Sequence, residues 1–440
     1  MTDTLNPLVA AQQKVKAACD KLGCDPAVYE LLKEPERVIE ISIPVKMDDG
    51  SVKVFKGWRS AHSSAVGPSK GGVRFHPNVN LDEVKALSLW MTFKGGALGL
   101  PYGGGKGGIC VDPSELSDRE LEQLSRGWIR GLYKYLGERI DIPAPDVNTN
   151  GQIMAWFLDE WIKVNGDRQD IGMLTGKPVG LGGSEGRNEA TGFGVAVVTR
   201  EAAKREGIDF SKAKIAVQGF GNVGSFTVKN IERQGGKVYA LAEWDKKEGN
   251  YALYNENGLD FKKLIAYKNE HHTLIGYPDA KQISADDFWT GEWDILIPAA
   301  LENVITGDVA QKLNVKLVCE AANGPTTPEG DKVLVERGIP LTPDILTNSG
   351  GVLVSYYEWV QNQYGMYWTE AEVEEKQEAD MMKAIEGVFG ICDEYDVVPQ
   401  GGVNDPSKTI VPLIVSNLGN QQICPGIKVN PGLSASPRSQ

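Results

Sequence analysis

Lys106 is a single amine set among five glycines, in the run Pro101-Tyr102-Gly103-Gly104-Gly105-Lys106-Gly107-Gly108. Residues without side chains let backbone and ligand come close to that amine, so the glycines read as a cradle for the amine, not as packing. A P-loop is excluded. Its G-x-x-x-x-G-K-[ST] pattern needs a glycine where Leu100 stands and a hydroxyl residue where Gly107 stands. What remains is a lysine poised for chemistry or a glycine-rich turn carrying a solvated lysine. Asp146 closes Pro143-Ala144-Pro145-Asp146, a carboxylate on a proline-bracketed turn. Alone it is an Asx-turn or helix cap; paired with Lys106 it is a proton shuttle. A partly desolvated lysine near other cations has a lowered pKa and can act as a base near neutral pH. Lys70, in Pro68-Ser69-Lys70-Gly71-Gly72-Val73-Arg74, is a second glycine-flanked lysine. Lys94 follows Val84, Leu87 and Met91 at helical spacing, on a helix opened by Asn80 and Glu83 as a capping box. It is either a snorkelling lysine or a buried cation awaiting an anionic ligand.

The rest of the composition leaves acid–base work to lysines and carboxylates. Only four histidines occur, His62, His76, His271 and His272, and no zinc ligand set can be built from them. Six cysteines in 440 residues, with no C-x-x-C, read as reduced thiols of a cytoplasmic protein. Cys19 and Cys24 have no matching second pair, so no metal is expected. The net charge of −13 excludes a basic footprint for nucleic acid or anionic membrane. No apolar run approaches the ~20 residues of a membrane helix, and no signal peptide is evident. The partners expected are small molecules.

The elements that must position these groups fall into two units. In the first, residues 8–34 are helical, and Val38–Val45 and Val52–Trp58 form a hairpin about Asp49-Gly50. Amphipathic helices follow over 118–137 and from Gly151 to Trp161. A glycine-rich segment, 180–194, leads to the second unit. There a short apolar strand, Lys214–Gln218, runs into Gly219-Phe220-Gly221-Asn222-Val223-Gly224 and then a helix. The next strand, Lys237–Ala242, ends at Glu243, roughly 20 residues beyond the last glycine, as a dinucleotide fingerprint requires. Further strands are expected over 293–298, 315–320 and 345–348, giving a doubly wound parallel sheet. The fold class is therefore α/β in two domains, an N-terminal α/β domain over 1–182 and a Rossmann-like, doubly wound dinucleotide-binding domain over 183–355. A helical return to the first domain over 356–397 and an atypical tail over 398–440 complete the division.

The motifs together resemble the glutamate dehydrogenase family. Lys70-Gly71-Gly72-Val73-Arg74-Phe75-His76-Pro77, Trp90-Met91-Thr92-Phe93-Lys94 and the glycine run carry the resemblance in the first unit, with Pro143-Ala144-Pro145-Asp146-Val147-Asn148-Thr149. Glu189-Ala190-Thr191-Gly192, the fingerprint and Asn348-Ser349-Gly350-Gly351-Val352-Leu353-Val354-Ser355 carry it in the second, over roughly residues 8–397 in all. The resemblance implies that Lys106 activates water and Asp146 moves protons to and from the amine. It implies that Lys94 holds the α-carboxylate, that Lys70 and Ser355 hold the side-chain carboxylate, and that Ala144 and Val352 shape that pocket. Thr191 and Asn348 would contact the nicotinamide, Asn323 its ribose, and Gly219, Gly221, Asn222, Val223 and Gly224 the pyrophosphate. Glu243 would accept from the adenosine ribose, which favours NAD over NADP, with Lys246 and Lys247 as nearby cations that offset its charge. The implied substrates are L-glutamate, 2-oxoglutarate and ammonium, the implied assembly is a homohexamer, and the resemblance makes 1–182 the substrate-binding and oligomerisation domain and 183–355 the NAD-binding domain. The rivals are a leucine, phenylalanine or valine dehydrogenase, which needs an apolar pocket where Lys70 and Ser355 stand, and a non-catalytic scaffold, which needs neither Lys106 nor Asp146.

Two departures from the family pattern stand out. Position 193 is Phe where many relatives carry Arg or Tyr. Beyond Asp396 the chain is rich in Pro, Gly, Asn and Ser where the family has a helix beginning Arg-Glu-Ala. The tail is expected to be disordered or loosely docked. A one-base frame shift across Gln400-Gly401-Gly402 is compatible with it.

Overall fold

The computed structural model describes residues 6–166 and 170–395. The expectation for the tail, 398–440, lies outside the described residues. The chain divides into two compact units, the first within 6–187 and 354–373, the second within 188–353 and 374–395. The reading of 356–397 as one return to the first unit differs from this division. Residues 374–395 belong with the second unit, where Gln377 Nε2 donates to Ala190 O at 2.6 Å and Glu374 pairs with Arg233 at 2.8 Å.

In the first unit, α1 (Pro7–Leu22) and α2 (Pro26–Leu32) each begin with proline behind an Asn6 or Asp25 cap. They precede the hairpin of β1 (Arg37–Lys46) and β2 (Val52–Ala61). Then come β3 (Ser69–His76), α3 (Leu81–Ala97), β4 (Gly103–Cys110), α4 (Asp118–Leu132), β5 (Asp141–Pro145) and α5 (Gly151–Val164). The sheet order is β1-β2-β4-β3-β5, with β1, β2 and β4 antiparallel and β3 parallel to β4 and β5. Alternation sorts its faces. Val73, Phe75 and Ile109 point into a core with α4 and α5, where Trp128 stacks on Phe157 at 5.1 Å.

Two expectations for this unit are corrected. The glycine run is an interior strand, not a turn, and its glycines serve packing. A Cβ on Gly107 would meet Trp128 Cζ2 at 2.8 Å, and one on Gly104 would collide with Ser88 O and Thr92 N of α3. A helix packed this close to a strand leaves no room for side chains between them. Likewise Pro143 and Pro145 lie in β5, an edge strand, where a missing N–H costs no ladder bond.

The α3 pattern also needed adjustment. Val84, Ser88, Leu89, Thr92 and Phe93 are buried, whereas Leu87, Met91 and Lys94 are only half-buried. Asn80 Oδ1 accepts from Glu83 N, but Glu83 does not return the favour. Its carboxylate accepts from Arg74 Nη1 at 2.6 Å, so half of the expected capping box is diverted across the sheet. A buried relay fixes α3 to β4: Gly104 N donates to Thr92 Oγ1, which pairs with His62 Nδ1 at 2.8 Å, while His62 Nε2 donates to Leu32 O. Burial pushes this imidazole down to about 4, so it stays neutral.

The second unit runs α6 (Ala190–Arg205), β6 (Lys214–Gln218), α7 (Asn222–Arg233), β7 (Lys237–Asp245), β8 (Gly249–Tyr254), α8 (Phe261–His271), β9 (Lys281–Ser284), α9 (Ala285–Thr290) and β10 (Ile295–Pro298). It continues with α10 (Gly307–Lys312), β11 (Leu317–Cys319), α11 (Pro328–Glu336), β12 (Leu341–Thr342) and α12 (Asp344–Thr347). Helices α13 (Gly350–Tyr364) and α14 (Glu370–Tyr395) each carry the chain across a unit boundary. Sheet order is β12-β11-β10-β6-β7-β8-β9. The five strands from β12 to β7 are parallel; β8 and β9 add an antiparallel edge. The order reverses at β6, between β7 and β10, which is where a doubly wound sheet opens a binding crevice. Strand β7 runs past Glu243 to Asp245 because β8 pairs with it, and residues 345–347 are helical, the strand before them being β12. Among the described residues no helix is long and apolar enough to cross a membrane.

Candidate active site

In the first unit, β4 and β5, on either side of β3, bring Lys106 and Asp146 together. Lys106 Nζ, on β4, donates to Asp146 Oδ2. Asp146 follows β5, and its carboxylate reaches over β3 because position 72 is glycine. A Cβ there would stand 2.7 Å from Asp146 Cβ and 2.9 Å from its Oδ2. The loop behind Asp146 is tied down: Thr149 Oγ1 bonds both Asp146 N and Val73 O, and Asn148, at φ 57°, donates to Phe75 O. Arg74 Nε donates to Asp146 Oδ1 at 2.9 Å. Burial alone would raise the Asp146 carboxyl. The Lys106 ammonium and Arg74 guanidinium outweigh it and hold the group well below the usual carboxylate range. Burial lowers Lys106, and Arg74 adds to that, against the opposing pull of Asp146.

Below this pair lies a clamp that sequence reasoning missed. Arg59 on β2 and Asp141 on β5 form a fully buried bidentate pair at 2.5 and 2.9 Å, and Arg59 Nη1 also donates to Gly71 O at 3.0 Å. It ties β2 and β5, the strands on either side of β4 and β3, to the cradle between them. The partners are 82 residues apart, so no local pattern links them.

Lys70 on β3 is 2% exposed, and among the described residues no carboxylate pairs with it. Burial, then the nearby Arg187 and Arg59, push its ammonium well below the usual lysine value, against the pull of Glu358. Glu358 does not serve as its partner. It is saturated by Lys177 Nζ at 2.6 Å and Gly176 N at 2.9 Å in a fully buried pair that also engages Asn362. Arg187 Nε donates to Ser355 Oγ at 3.2 Å. Lys70, Arg187 and Ser355 therefore make a cation-rich, donor-rich cluster, of which Arg187 had no sequence signal. Arg74 did have one. Read as a strand, 69–76 puts residues 70, 72 and 74 on one face. Ala144 is buried on β5 in register with Gly72. Val352 and Ser355 lie three residues apart on α13. Lys94 stands in the last turn of α3, whose Met91 Cγ would lie 3.3 Å from a Cβ at Gly71.

The dinucleotide fingerprint of the second unit has the geometry each glycine implies. Gly219 has φ 98° and lies against Ala300, a Cβ there meeting Ala300 Cβ at 2.8 Å. A Cβ on Gly224 would collide with Gly219 O, so this glycine sets helix against strand. Gly221 faces open space, nothing lying within 4 Å of its Cβ position, at the start of α7 where Asn222 and Val223 present backbone N–H groups. That opening fits a pyrophosphate. Glu243 Oε2 accepts from Phe220 N at 3.2 Å and Lys268 Nζ at 2.8 Å. The cation set against Glu243 is thus Lys268, from α8, not the exposed Lys246 and Lys247. Asn348 Nδ2 donates to Asn323 Oδ1 at 2.9 Å, while Thr191 stands in the first turn of α6. Gly192 lets α6 approach α7, a Cβ there meeting Phe226 Cβ at 2.6 Å.

The sequence matches a family described as Glutamate/Leucine/Phenylalanine/Valine dehydrogenase over residues 182–405, and its dimerisation domain over residues 35–163. It is 83% identical over 397 residues to an NAD-specific glutamate dehydrogenase of Peptoniphilus asaccharolyticus, covering 90% of this chain and 94% of the relative. A relative of that description in Clostridioides difficile is 65% identical over 393 residues, covering 89% and 93%. The crystal structure of glutamate dehydrogenase from Peptoniphilus asaccharolyticus superposes with a TM-score of 0.85 at 76% identity, over 95% of this chain and 98% of that one. The hetero-hexameric glutamate dehydrogenase from Thermus thermophilus gives 0.85 at 33% identity, over 96% and 97%.

Proposed function

The chain belongs to the Glutamate/Leucine/Phenylalanine/Valine dehydrogenase family, and from that membership and the geometry of its two units we propose how it works. Its reaction is the reversible oxidative deamination of L-glutamate to 2-oxoglutarate and ammonium, linked to NAD. The observation that carries the substrate choice is Lys70, a buried cation that has no counter-anion among the described residues and lies beside Arg187 and Ser355. A desolvated ammonium of this kind calls for an anionic ligand, and the γ-carboxylate of glutamate supplies it. A leucine or valine side chain would leave the charge uncompensated.

Lys70, Arg187 and Ser355 hold the side-chain carboxylate, Ala144 and Val352 shape its surroundings, and Lys94 holds the α-carboxylate. The residues about Gly219, Gly221, Asn222, Val223 and Gly224 hold the pyrophosphate, Glu243 the adenosine ribose, and Thr191, Asn323 and Asn348 the nicotinamide end. When bound there, NAD would supply the hydride acceptor for the substrate Cα–H bond, and the oxidised substrate would be an iminium. Lys106, neutral in a fraction raised by its burial, takes a proton from water as the oxygen attacks Cα. The Lys106–Asp146 contact passes that proton on, and Asp146 delivers it to the carbinolamine nitrogen; as the C–N bond breaks, the hydroxyl gives its proton to Lys106, the carbonyl forms, and the ammonia released is protonated to ammonium. Arg74 keeps Asp146 ionised between turnovers.

The protein works as a homohexamer in the cytoplasm. Support for assembly comes from the matched dimerisation domain, the open edge of β1 and the exposed Val52 and Val54 beside it. Support for the compartment comes from the five described cysteines, all free thiols. The test is NADH formation with glutamate, norvaline and leucine, in the wild type and Lys70→Met. Glutamate should exceed leucine by orders of magnitude, and Lys70→Met should lose most glutamate activity while its melting temperature holds or rises, because a buried unpaired charge is gone. Comparable turnover of leucine and glutamate by the wild type would sink the substrate reading.

A further inference from the structure

Cys19 and Cys24 take no part in the reaction described above, yet the end of α1 sets them side by side. Gly23 adopts the left-handed conformation, at φ 60° and ψ 37°, directly after the last residue of α1. Its N–H donates to Asp20 O at 3.2 Å, and Cys24 N donates to Cys19 O at 3.0 Å. Those two bonds are the paired closure with which a helix ends on glycine, and they turn the residue after the glycine back over the last turn of the helix. A hydrophobic contact usually joins the two positions so apposed. Here both are cysteine, and their thiols hydrogen-bond to each other. Backbones joined by a hydrogen bond lie within the Cα separation of roughly 4.4–6.8 Å that a disulfide spans.

The pair is asymmetric. Cys19 is buried, whereas Cys24 is only half-buried. The hydrogen bond from the Cys19 thiol holds the Cys24 thiol below its ordinary value, against burial and the Asp20 carboxylate. The same bond, and then burial, push Cys19 up. Nucleophilic character therefore falls on Cys24, the sulfur that solvent reaches. The other described cysteines differ. Cys319 and Cys392 are buried, and burial pushes each thiol up to about 11. Cys110 is exposed, and its thiol donates to Pro77 O.

We propose that Cys19 and Cys24 form a reversible disulfide, a redox-responsive staple at the end of α1, with a low-molecular-weight disulfide as the oxidant. The Cys24 thiolate attacks one sulfur of that disulfide, whose S–S bond breaks, and one small thiolate leaves with the bonding pair. Cys19 then gives up its proton, and its sulfur attacks Cys24 Sγ. The mixed disulfide breaks and the second small thiolate leaves. Two protein thiols are oxidised, one small disulfide is reduced to two thiols, and the two protons end on those thiols. The cap is already closed in the dithiol form, so the bond forms without moving α1 or α2. Transient oxidation of this kind is compatible with a reducing compartment.

The test treats the full chain with oxidised glutathione, alkylates the remaining thiols and maps the products by peptide mass spectrometry, on the wild type, Cys19→Ser and Cys24→Ser. In the wild type the peptides carrying Cys19 and Cys24 should be joined, lighter by two hydrogens and free of glutathione, and dithiothreitol should separate them. Cys19→Ser should retain one glutathione on Cys24, because the resolving thiol is gone. Cys24→Ser should leave Cys19 reduced, because the attacking thiol is gone. Amide exchange at Gly23 and Cys24 should slow when the wild type is bridged. A wild type that stops with glutathione on Cys24 would show that the two sulfurs do not meet, and overturns the proposal. So does a chain in which Cys19 and Cys24 both stay reduced while Cys110 reacts. Faster amide exchange in the bridged form would mean that the bond strains the cap, and the staple is then refuted.

Discussion

Two glycine-rich segments serve this protein, and they use glycine for opposite ends. In β4 the missing side chains are replaced by protein. Helix α3 presses on Gly104, Trp128 on Gly107 and Val79 on Gly108, so the strand around Lys106 is filled on both faces. In the loop after β6 the first and third glycines are likewise filled, by Ala300 and by Gly219 O, but Gly221 between them is open. The first segment makes a rigid floor from which one amine projects. The second makes a rim with one gap in it. Glycine content alone does not distinguish a place where the protein touches itself from one where a ligand is to enter; the occupancy of each Cβ position does.

The comparison can be broken by substitution. The largest effect belongs to the amine the floor supports. Lys106→Ala and Asp146→Asn should each lower kcat by about 10²–10⁴-fold, the range for a general acid–base group, while NADH binding followed by fluorescence is unchanged. Near-wild-type turnover in either variant would remove these residues from the chemistry. Next comes the floor itself. Gly104→Ala forces a methyl group into the backbone of α3 and should cost about 2–4 kcal/mol, seen as a lowered melting temperature. An unchanged melting temperature would show that α3 is not seated as described.

Gly221→Ala is the matched probe of the rim. With φ −77° and free space about it, alanine should leave the melting temperature within about 1 °C while weakening NAD binding about tenfold. A fold defect without a binding defect would reverse the contrast between the two segments. The smallest effect concerns proton traffic. Burial and Arg74 lower the Lys106 pKa, so the neutral base appears, and glutamate oxidation rises, at a pH below the ordinary lysine range. Arg74→Gln removes one of those causes. The rising limb of kcat/KM should then move about one unit to higher pH. A shift to lower pH would contradict the charge balance at the site.

Several of these features were legible in the residues. The hairpin about Asp49-Gly50, the strand–fingerprint–helix of β6 and α7, and the acid at Glu243 depend on neighbours close in sequence. So does the pairing of a poised lysine with a carboxylate, once the family motifs are seen together. The β4 strand was not legible, because glycine has low strand propensity and reads as a turn. Its strand state comes from β2 and β3, which flank it. The face of α3 was misread for a related reason. Small polar residues such as Ser88 and Thr92 are buried there by hydrogen bonds to Ser60 and His62, which a count of apolar positions overlooks.

By itself the sequence determined which chemical groups the protein owns and which local frames hold them: an amine in a glycine run, a carboxylate behind two prolines, a phosphate-binding turn with its ribose acid. Only the tertiary structure decided which charges are cancelled and which are not. Glu358 is spent on Lys177, Asp141 on Arg59, and Glu243 on Lys268, while among the described residues Lys70 has no counter-ion. The reason is physical. The energy of a charge depends on its burial and on partners that the fold brings from 25 to 181 residues away, and neither quantity is a property of the residues on either side of it.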